Sequence, residues 1–451
     1  MNSSNIPVFQ HSNPPVVSLI SLGCAKNTVD SELILGRFVE SGWMIAEEPA
    51  DADICLVNTC GFIQDAREEA ASVLHDLRGL KEGGGPKAVV ALGCLVKRVA
   101  DSPELESFLD AADARASFND YSRLPEICAG LLGEKADAME PESYTEFLIR
   151  PRLRFGSPHT AYLKISEGCS NPCTFCSIPK IRGKQISRPM DDILDEARAL
   201  MEAGAVEINL IAQDTTAYGK EWDGELHLAA LLKKLRDEIK QDVWFRLMYV
   251  CPQHLTREVL DVLASDPRFC HYIDIPLQHI SDRMLSLMGR QITKFQTLEK
   301  LDLIREILPD CAIRTAFITG HPGETEDDFN ELLAFVKEGR FTHAGVFTYS
   351  AETGTLSAKM EDGVPQAIKE ERRALLMEAQ RVVSAARCAA QVGQTVEVMI
   401  DGLGEEGLIG RTRREAPEVD GVILLPEFDA VPGDRFDVTV TGSLDYDLIA
   451  E

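Results

Sequence analysis

Glu167-Gly168-Cys169-Ser170-Asn171-Pro172-Cys173-Thr174-Phe175-Cys176 carries three cysteines spaced C-x3-C-x2-C. Three thiolates this close together can hold three corners of a cuboidal 4Fe–4S cluster and leave the fourth iron open, whereas a fourth thiolate would close it. Zinc is the other reading of clustered cysteines. Zinc sites usually complete a tetrahedron, however, and no fourth Cys or His follows at short range. The run Ala161–Ser166 before the motif reads as a strand whose end delivers the cysteine loop.

Downstream, apolar strands and amphipathic helices alternate. Helices are expected over 191–203, 226–239, 255–264, 281–288, 294–307 and 325–338, and strands over 205–211, 243–248, 271–275, 312–318 and 344–349. With 161–166 this makes six strands joined by helical crossovers, which right-handed connection would wrap into a barrel wall. Ligands gather at the carboxyl ends of such strands.

Upstream, Val16–Leu22, Ala52–Val57 and Lys87–Leu92 read as short strands, each closely followed by a cysteine: Cys24, Cys60 and Cys94. Helical patterns over 27–41 and 62–80 separate them, so a parallel sheet is expected here too. Although 36 (60 − 24) and 34 (94 − 60) residues apart, these cysteines would converge on one sheet edge. Gly23, Gly61 and Gly93 would let backbone approach a bulky cluster. The plain alternative is that each is a buried cysteine at a strand end; Cys55, Cys128, Cys251, Cys270, Cys311 and Cys388 are read that way.

The C-x3-C-x2-C motif, with Phe175 before its last cysteine, resembles the radical S-adenosylmethionine (SAM) superfamily, in which the open iron chelates SAM and an electron from the cluster cleaves it to an adenosyl radical. A three-cysteine domain ahead of that core resembles the methylthiotransferase family. Within it, Ser21-Leu22-Gly23-Cys24-Ala25-Lys26-Asn27-Thr28-Val29-Asp30-Ser31-Glu32 and Asn58-Thr59-Cys60-Gly61-Phe62-Ile63 resemble the branch that modifies ribosomal protein S12. The resemblance spans the chain from about residue 16. It implies an α/β fold: an N-terminal parallel α/β sheet domain, a central partial (βα)6 radical SAM barrel and a C-terminal small antiparallel β-barrel of the OB-like TRAM type.

It also implies two 4Fe–4S clusters, one on Cys24, Cys60 and Cys94 serving sulfur transfer and one on Cys169, Cys173 and Cys176 serving radical generation. The side chains are not expected to act as acids or bases, because an unactivated C–H is too weak an acid for any of them; cofactors carry that chemistry. The product would be a methylthio group on the β-carbon of an aspartate in S12. Segments matching the family's SAM-facing loops make Gln213, Arg246, Gln278 and Gly320 candidate SAM contacts. A tRNA adenosine methylthiotransferase is the nearest alternative, and a non-catalytic iron–sulfur electron carrier or metal-binding protein is the alternative of another class.

Expected boundaries are 1–15 for a disordered leader, 16–135 for the N-terminal domain, 136–158 for a Gly/Pro-rich linker, 159–385 for the radical SAM core and 386–451 for the TRAM domain. The short strands expected in the tail are 395–400, 407–411, 421–425 and 435–441. From residue 391 on, only Arg411, Arg413, Arg414 and Arg435 are basic, against fourteen acidic residues, a net charge of −10. The whole chain of 451 residues carries −27. Such charge disfavours phosphate backbones, so direct RNA binding is not expected, and it attracts a basic protein such as S12 over long range. Neither a membrane span nor a secretory signal is legible, and twelve cysteines suit reduced metal-binding thiols, so a cytoplasmic monomer is expected. A sulfur donor and an electron donor are further implied partners.

Overall fold

A computed structural model of the chain describes residues 14–134, 139, 142–361, 363–405, 407–426 and 428–451. Residues 1–13 of the expected leader, and 135–138, 140 and 141 in or beside the expected linker, lie outside the described residues. Contacts divide the chain into two units. The first runs to Phe155 and also takes Ser177–Lys184 and Glu352–Gly354; the second comprises Gly156–Cys176, Gln185–Ala351 and Thr355–Glu451.

In the first unit β1 (Val16–Ser21), β2 (Met44–Ile45), β3 (Ile54–Thr59), β4 (Ala88–Gly93) and β5 (Ala114–Ala116) form a parallel sheet ordered β2-β1-β3-β4-β5. β3 and β4 are buried along their whole length, as strands covered on both faces must be. Cys55 and Val57 pack with Leu74, Leu77, Val89 and Ala91 in the core beneath the helix Gln64–Glu82. Residues 142–155 of the expected linker belong to this unit. Ser143 and Glu146 form a capping box that starts the helical turn Tyr144–Phe147, and Phe147 is buried. Two aromatic anchors outweigh the Pro and charge content that made the segment read as a linker.

The second unit contains β6 (Thr160–Lys164), the two-residue pair β7 (Ser166–Glu167) and β8 (Ile186–Ser187), then β9 (Glu207–Ile211), β10 (Trp244–Leu247), β11 (Phe269–Asp274), β12 (Ala312–Thr319) and β13 (His343–Thr348). Six of these pair in chain order, β13-β12-β11-β10-β9-β6, all parallel, with β6 and β13 as unpaired edges. The wall is therefore an open six-stranded βα array. Its strands and helices start and stop within two residues of the expected positions.

After the helix Gln366–Ala389 the chain builds β14 (Thr395–Gly404), β15 (Gly407–Arg411), β16 (Ile423–Leu425), β17 (Arg435–Ser443) and β18 (Leu448–Ala450) into a closed barrel ordered β14-β15-β16-β18-β17. β18, three residues long and close to the end of the sequence, is the strand that the sequence pattern does not announce. It closes the barrel by pairing parallel to β16 and antiparallel to β17. Alternate residues Val398, Ile400, Val438 and Val440 fill the interior with Leu408, Ile423, Leu425 and Leu448.

This barrel is joined to the βα array by arginines. Arg411 pairs with Glu207 at 2.8 Å and with Asp401 at 2.7 Å, and Arg246 pairs with the same Glu207 at 2.9 Å. Burial alone would push the Glu207 carboxyl up, but the charges of Arg411 and Arg246 outweigh it and hold the group down at about 2. The folded value lies below the ordinary 4.5, so the contribution to stability is fully present above that pH and is lost as pH falls through about 2. Arg411→Ala, which removes the buried cation shared by Glu207 and Asp401, is expected to lower unfolding free energy by about 3–5 kcal/mol in a denaturant titration at neutral pH. Glu207→Gln should flatten the loss of stability between pH 4.5 and 2 seen with the unsubstituted chain.

Candidate active site

In the first unit the three cysteines follow β1, β3 and β4, which pair in parallel with Ser21 opposite Asn58 and Thr59 opposite Gly93. Level strand ends bring Cys24, Cys60 and Cys94 together despite their separation in sequence. Asn27, on the first turn of the helix Ala25–Glu40, ties the ends by donating to Leu22 O at 2.9 Å and Thr59 O at 3.2 Å. Asn58 answers by donating to Asn27 O at 3.0 Å and Ser31 Oγ at 2.9 Å. The glycines make room for neighbouring chain. A Cβ on Gly23 (φ +97°) would stand 2.7 Å from Cys60 Cβ, and one on Gly93 (φ +91°) would stand 2.5 Å from Thr59 O. What the two glycines admit in this structure is the neighbouring chain, so that the strand ends close on one another.

The thiols behave as a set. Burial pushes Cys60 up to about 12, with the charges of Cys94 and Cys24 adding to it. Burial also raises Cys94, opposed by Arg182. Cys60 and Cys94, which resist ionising, converge with Cys24 into a donor set that suits a multinuclear cation such as an iron–sulfur cluster, whose positive metal centres would draw off the protons.

In the second unit, Cys169, Cys173 and Cys176 occupy the loop after β7, at the carboxyl end of the βα array. Hydrogen bonds from outside the loop set its course. Asn171 donates to Asp214 Oδ2 at 2.8 Å and its Oδ1 accepts from Gln253 at 2.8 Å. Gln185 N donates to Ser170 Oγ, and Thr174 donates to Leu287 O through its hydroxyl and to Met288 O through its amide. Arg290 places Nη1 3.6 Å from Cys173 Sγ while Nη2 donates to Pro276 O. Burial pushes the Cys169 thiol up to about 11, so this donor set too suits a cationic cluster.

The four candidate SAM contacts part company. Gln213 follows β9 and donates to Glu167 Oε1 at 2.6 Å, beside the cysteine loop, while its own Oε1 is buried without a hydrogen-bond partner. Gln278 follows β11 with φ +71°, a left-handed conformation for a non-glycine residue, and is held by a bridge to Phe317. Both lie at the carboxyl ends of strands. Arg246 does not: fully buried, it turns toward Glu207 at the start of β9, donates to Arg413 O at 2.8 Å and lies over the Tyr272 ring. It belongs to the ion cluster under the C-terminal barrel. Gly320 sits at a strand end, but the space that a side chain would take is filled by Lys369.

Residue pattern did not disclose Arg182, Arg290 or Asp214. Each acts through a contact remote in sequence, and an isolated Arg or Asp carries no spacing signal. Cys251, read as core, lies beside Asn171, and its thiol shares a 4.8 Å neighbourhood with donor atoms of Asp214 and His254. That group is hydrogen-bonded rather than poised for a metal: Asp214 already accepts from Thr216, Ala217, His254 and Asn171.

With this geometry, comparison with known proteins is decisive. Residues 16–113 match the uncharacterized protein family UPF0004, 163–336 the radical SAM superfamily and 392–451 the TRAM domain. The ribosomal protein uS12 methylthiotransferase RimO of Anaeromyxobacter sp. (strain K) is 42% identical, with 96% of this chain and 92% of that protein covered. The protein of the same name from Geobacter sulfurreducens is 41% identical, with 96% and 98% covered.

The chain belongs to the ribosomal protein uS12 methylthiotransferase family. It is accordingly a radical SAM enzyme that transfers a methylthio group and uses SAM with two 4Fe–4S clusters. The fold agrees at long range: the radical SAM methyltransferase TsrM from Kitasatospora setae superposes with a TM-score of 0.55 at 15% identity, covering 74% of this chain and 75% of that one. Among the described residues no helix is long and apolar enough to cross a membrane.

Gly93→Ala tests the cradle. A Cβ at positive φ that meets Thr59 O should cost about 1–2 kcal/mol or more of stability, and iron bound per chain should fall toward one cluster. Iron analysis and thermal unfolding read the two effects separately.

Proposed function

We propose that the chain places a methylthio group on the β-carbon of an aspartate in ribosomal protein uS12, with Cys24, Cys60 and Cys94 holding the sulfur-transfer cluster and Cys169, Cys173 and Cys176 the SAM-binding one. Relatives of that name, about 40% identical over nearly the whole chain, carry the reading. When bound, the two clusters and SAM supply an activated sulfur, a methyl group and a hydrogen-abstracting radical. The protein's part is to anchor, orient and shield. Asn27 and Asn58 keep one set of strand ends level, while Asp214 and Gln253 fix Asn171 in the other loop. Gln213, hydrogen-bonded to Glu167 at the head of that loop, and Gln278, after β11, are the side chains proposed to face SAM.

Methylthiolation of a tRNA adenosine is the competing reading, and the C-terminal barrel speaks against it. Its four arginines are all engaged: Arg411 with Glu207 and Asp401, Arg413 with Glu397 and the Trp244 ring, Arg414 with Asp310 O, and Arg435 with Asp242. Phosphate binding requires cations that can displace counterions, and these are committed. A basic ribosomal protein is the complementary partner, approached by a cytoplasmic monomer supplied with sulfur and electrons by separate donors.

Replacing any one of Cys169, Cys173 or Cys176 by Ala should abolish 5′-deoxyadenosine formation from SAM after anaerobic reconstitution. Cys24, Cys60 and Cys94 replaced together should halve the iron, from about eight atoms to about four. SAM cleavage should survive and methylthiolated product should disappear. Cys55→Ala should keep full iron, since that thiol sits in the sheet core.

Partner choice is checked by titrating the full chain with purified uS12 and with bulk tRNA at rising salt. Binding to uS12 should weaken as the Debye length falls from about 10 Å at 0.1 M toward about 3 Å at 1 M, and tRNA should bind poorly throughout. Tight, salt-sensitive tRNA binding without uS12 binding would overturn the substrate and leave the radical chemistry standing.

A further inference from the structure

The chain leaves the second unit at Cys176, contributes Ser177–Lys184 to the first unit, and returns at Gln185. This insertion brings one side chain to the N-terminal cysteines. Arg182, six residues beyond Cys176, caps the turn Ile178–Ile181, and its side chain is 2% exposed. Nε and Nη2 each lie 3.4 Å from Cys94 Sγ, Nη2 also donates to Asn27 Oδ1 at 2.6 Å, and Nη1 donates to Asp30 Oδ2 at 2.8 Å. The Phe118 ring covers one face of the guanidinium at 4.7 Å, and the hydroxyl of Tyr144 reaches both Arg182 and Asp30.

From this geometry we infer that Arg182 is a positioning residue that tunes the sulfur-transfer cluster, donating two N–H groups to its Cys94 ligand and raising its reduction potential. The inference rests on the reading that Cys24, Cys60 and Cys94 hold that cluster. Hydrogen bonds to cluster sulfurs and net charge nearby are the protein's means of setting such potentials. A buried guanidinium supplies both, because it never loses its proton and its planar fork can serve Cys94, Asn27 and Asp30 at once. Asp30 supplies the opposing charge. It orients Arg182 and offsets part of its field, so the two side chains should move the potential in opposite directions. A cationic neighbour also favours the cluster state with the more negative charge, which fits a site that must accept an anionic sulfur without losing its own thiolates.

The test removes the other cluster by replacing Cys169, Cys173 and Cys176 with Ala in the full-length chain. The single remaining cluster is then followed by redox titration with electron paramagnetic resonance. Iron near four atoms per chain, with a visible charge-transfer band, verifies the underlying assignment before Arg182 is touched. If iron is absent there, that assignment fails, and with it the basis of the inference.

With iron retained, Arg182→Gln should shift the midpoint to more negative potential by at least about tenfold in the one-electron equilibrium, about 59 mV, and alter the resonance line shape. Arg182→Lys keeps the charge but loses the fork and should recover part of the shift. Asp30→Asn should shift the midpoint the other way, which keeps the inference falsifiable even where Arg182→Gln loads iron poorly. Unchanged midpoints in iron-loaded Arg182→Gln and Asp30→Asn, or shifts of the same sign, overturn it.

Discussion

Parallel strand pairing in level register is the constraint on which the first unit depends. Cysteines dozens of residues apart can form one donor set only if the strands that carry them end together, and β1, β3 and β4 do so because their backbone ladders run in step to the last residue. Nothing local to Cys24, Cys60 or Cys94 would supply that geometry. Asn27 and Asn58 act as the fasteners: Asn27 satisfies the Leu22 and Thr59 carbonyls left where the ladders stop, and Asn58 ties the end of β3 to the helix Ala25–Glu40 through Asn27 O and Ser31 Oγ. Gly23 and Gly93 take conformations that an L side chain would resist, so that the strand ends come within contact of each other. A one-residue slip in any ladder would turn its cysteine to the other face.

The second unit solves the converse problem. Its three cysteines are neighbours in sequence, so register is not what matters; a short loop of small and polar residues must instead be denied its other conformations. It is denied them by partners drawn from several strand ends: Asp214 after β9, Gln253 after β10, and Leu287, Met288 and Arg290 after β11. An array of parallel strands offers that many independent anchors at one end, the physical reason sites collect there.

Strand and helix alternation was legible because buried parallel strands are continuous apolar runs and the covering helices keep their 3.6-residue period. Cys169, Cys173 and Cys176 stand out because their short spacing itself carries a chemistry, whereas Cys24, Cys60 and Cys94 stand out only because each closely follows an apolar strand run. That 142–155 joins the first unit was not legible, since composition registers its Pro and charges but cannot weigh one capping box and the Tyr144 ring stacked on buried Phe147. The direction in which Arg246 turns was not legible for a related reason. A strand residue next to a site motif looks the same whichever way its long side chain turns, and the direction is set by Glu207, distant in sequence and opposite in charge. Arg182 stayed hidden because the chain crosses from one unit to the other and back within eight residues, Ser177 to Lys184, an excursion that leaves no mark in local pattern.

In the C-terminal barrel, net charge and available charge come apart. Counting residues gives four cations against fourteen anions and suggests a small basic patch where Arg411, Arg413 and Arg414 crowd together. The fold spends all four cations on attachment. Arg411 is buried between carboxylates of the barrel and of the array, Arg413 and Arg435 both lie over the Trp244 ring, and Arg414 holds a backbone carbonyl of Asp310. Each of these groups already has N–H donors engaged, most completely in buried Arg411, which leaves fewer of them for an approaching phosphate. The arginines that hold the barrel in place are thus the same ones that its composition alone would offer to a phosphate.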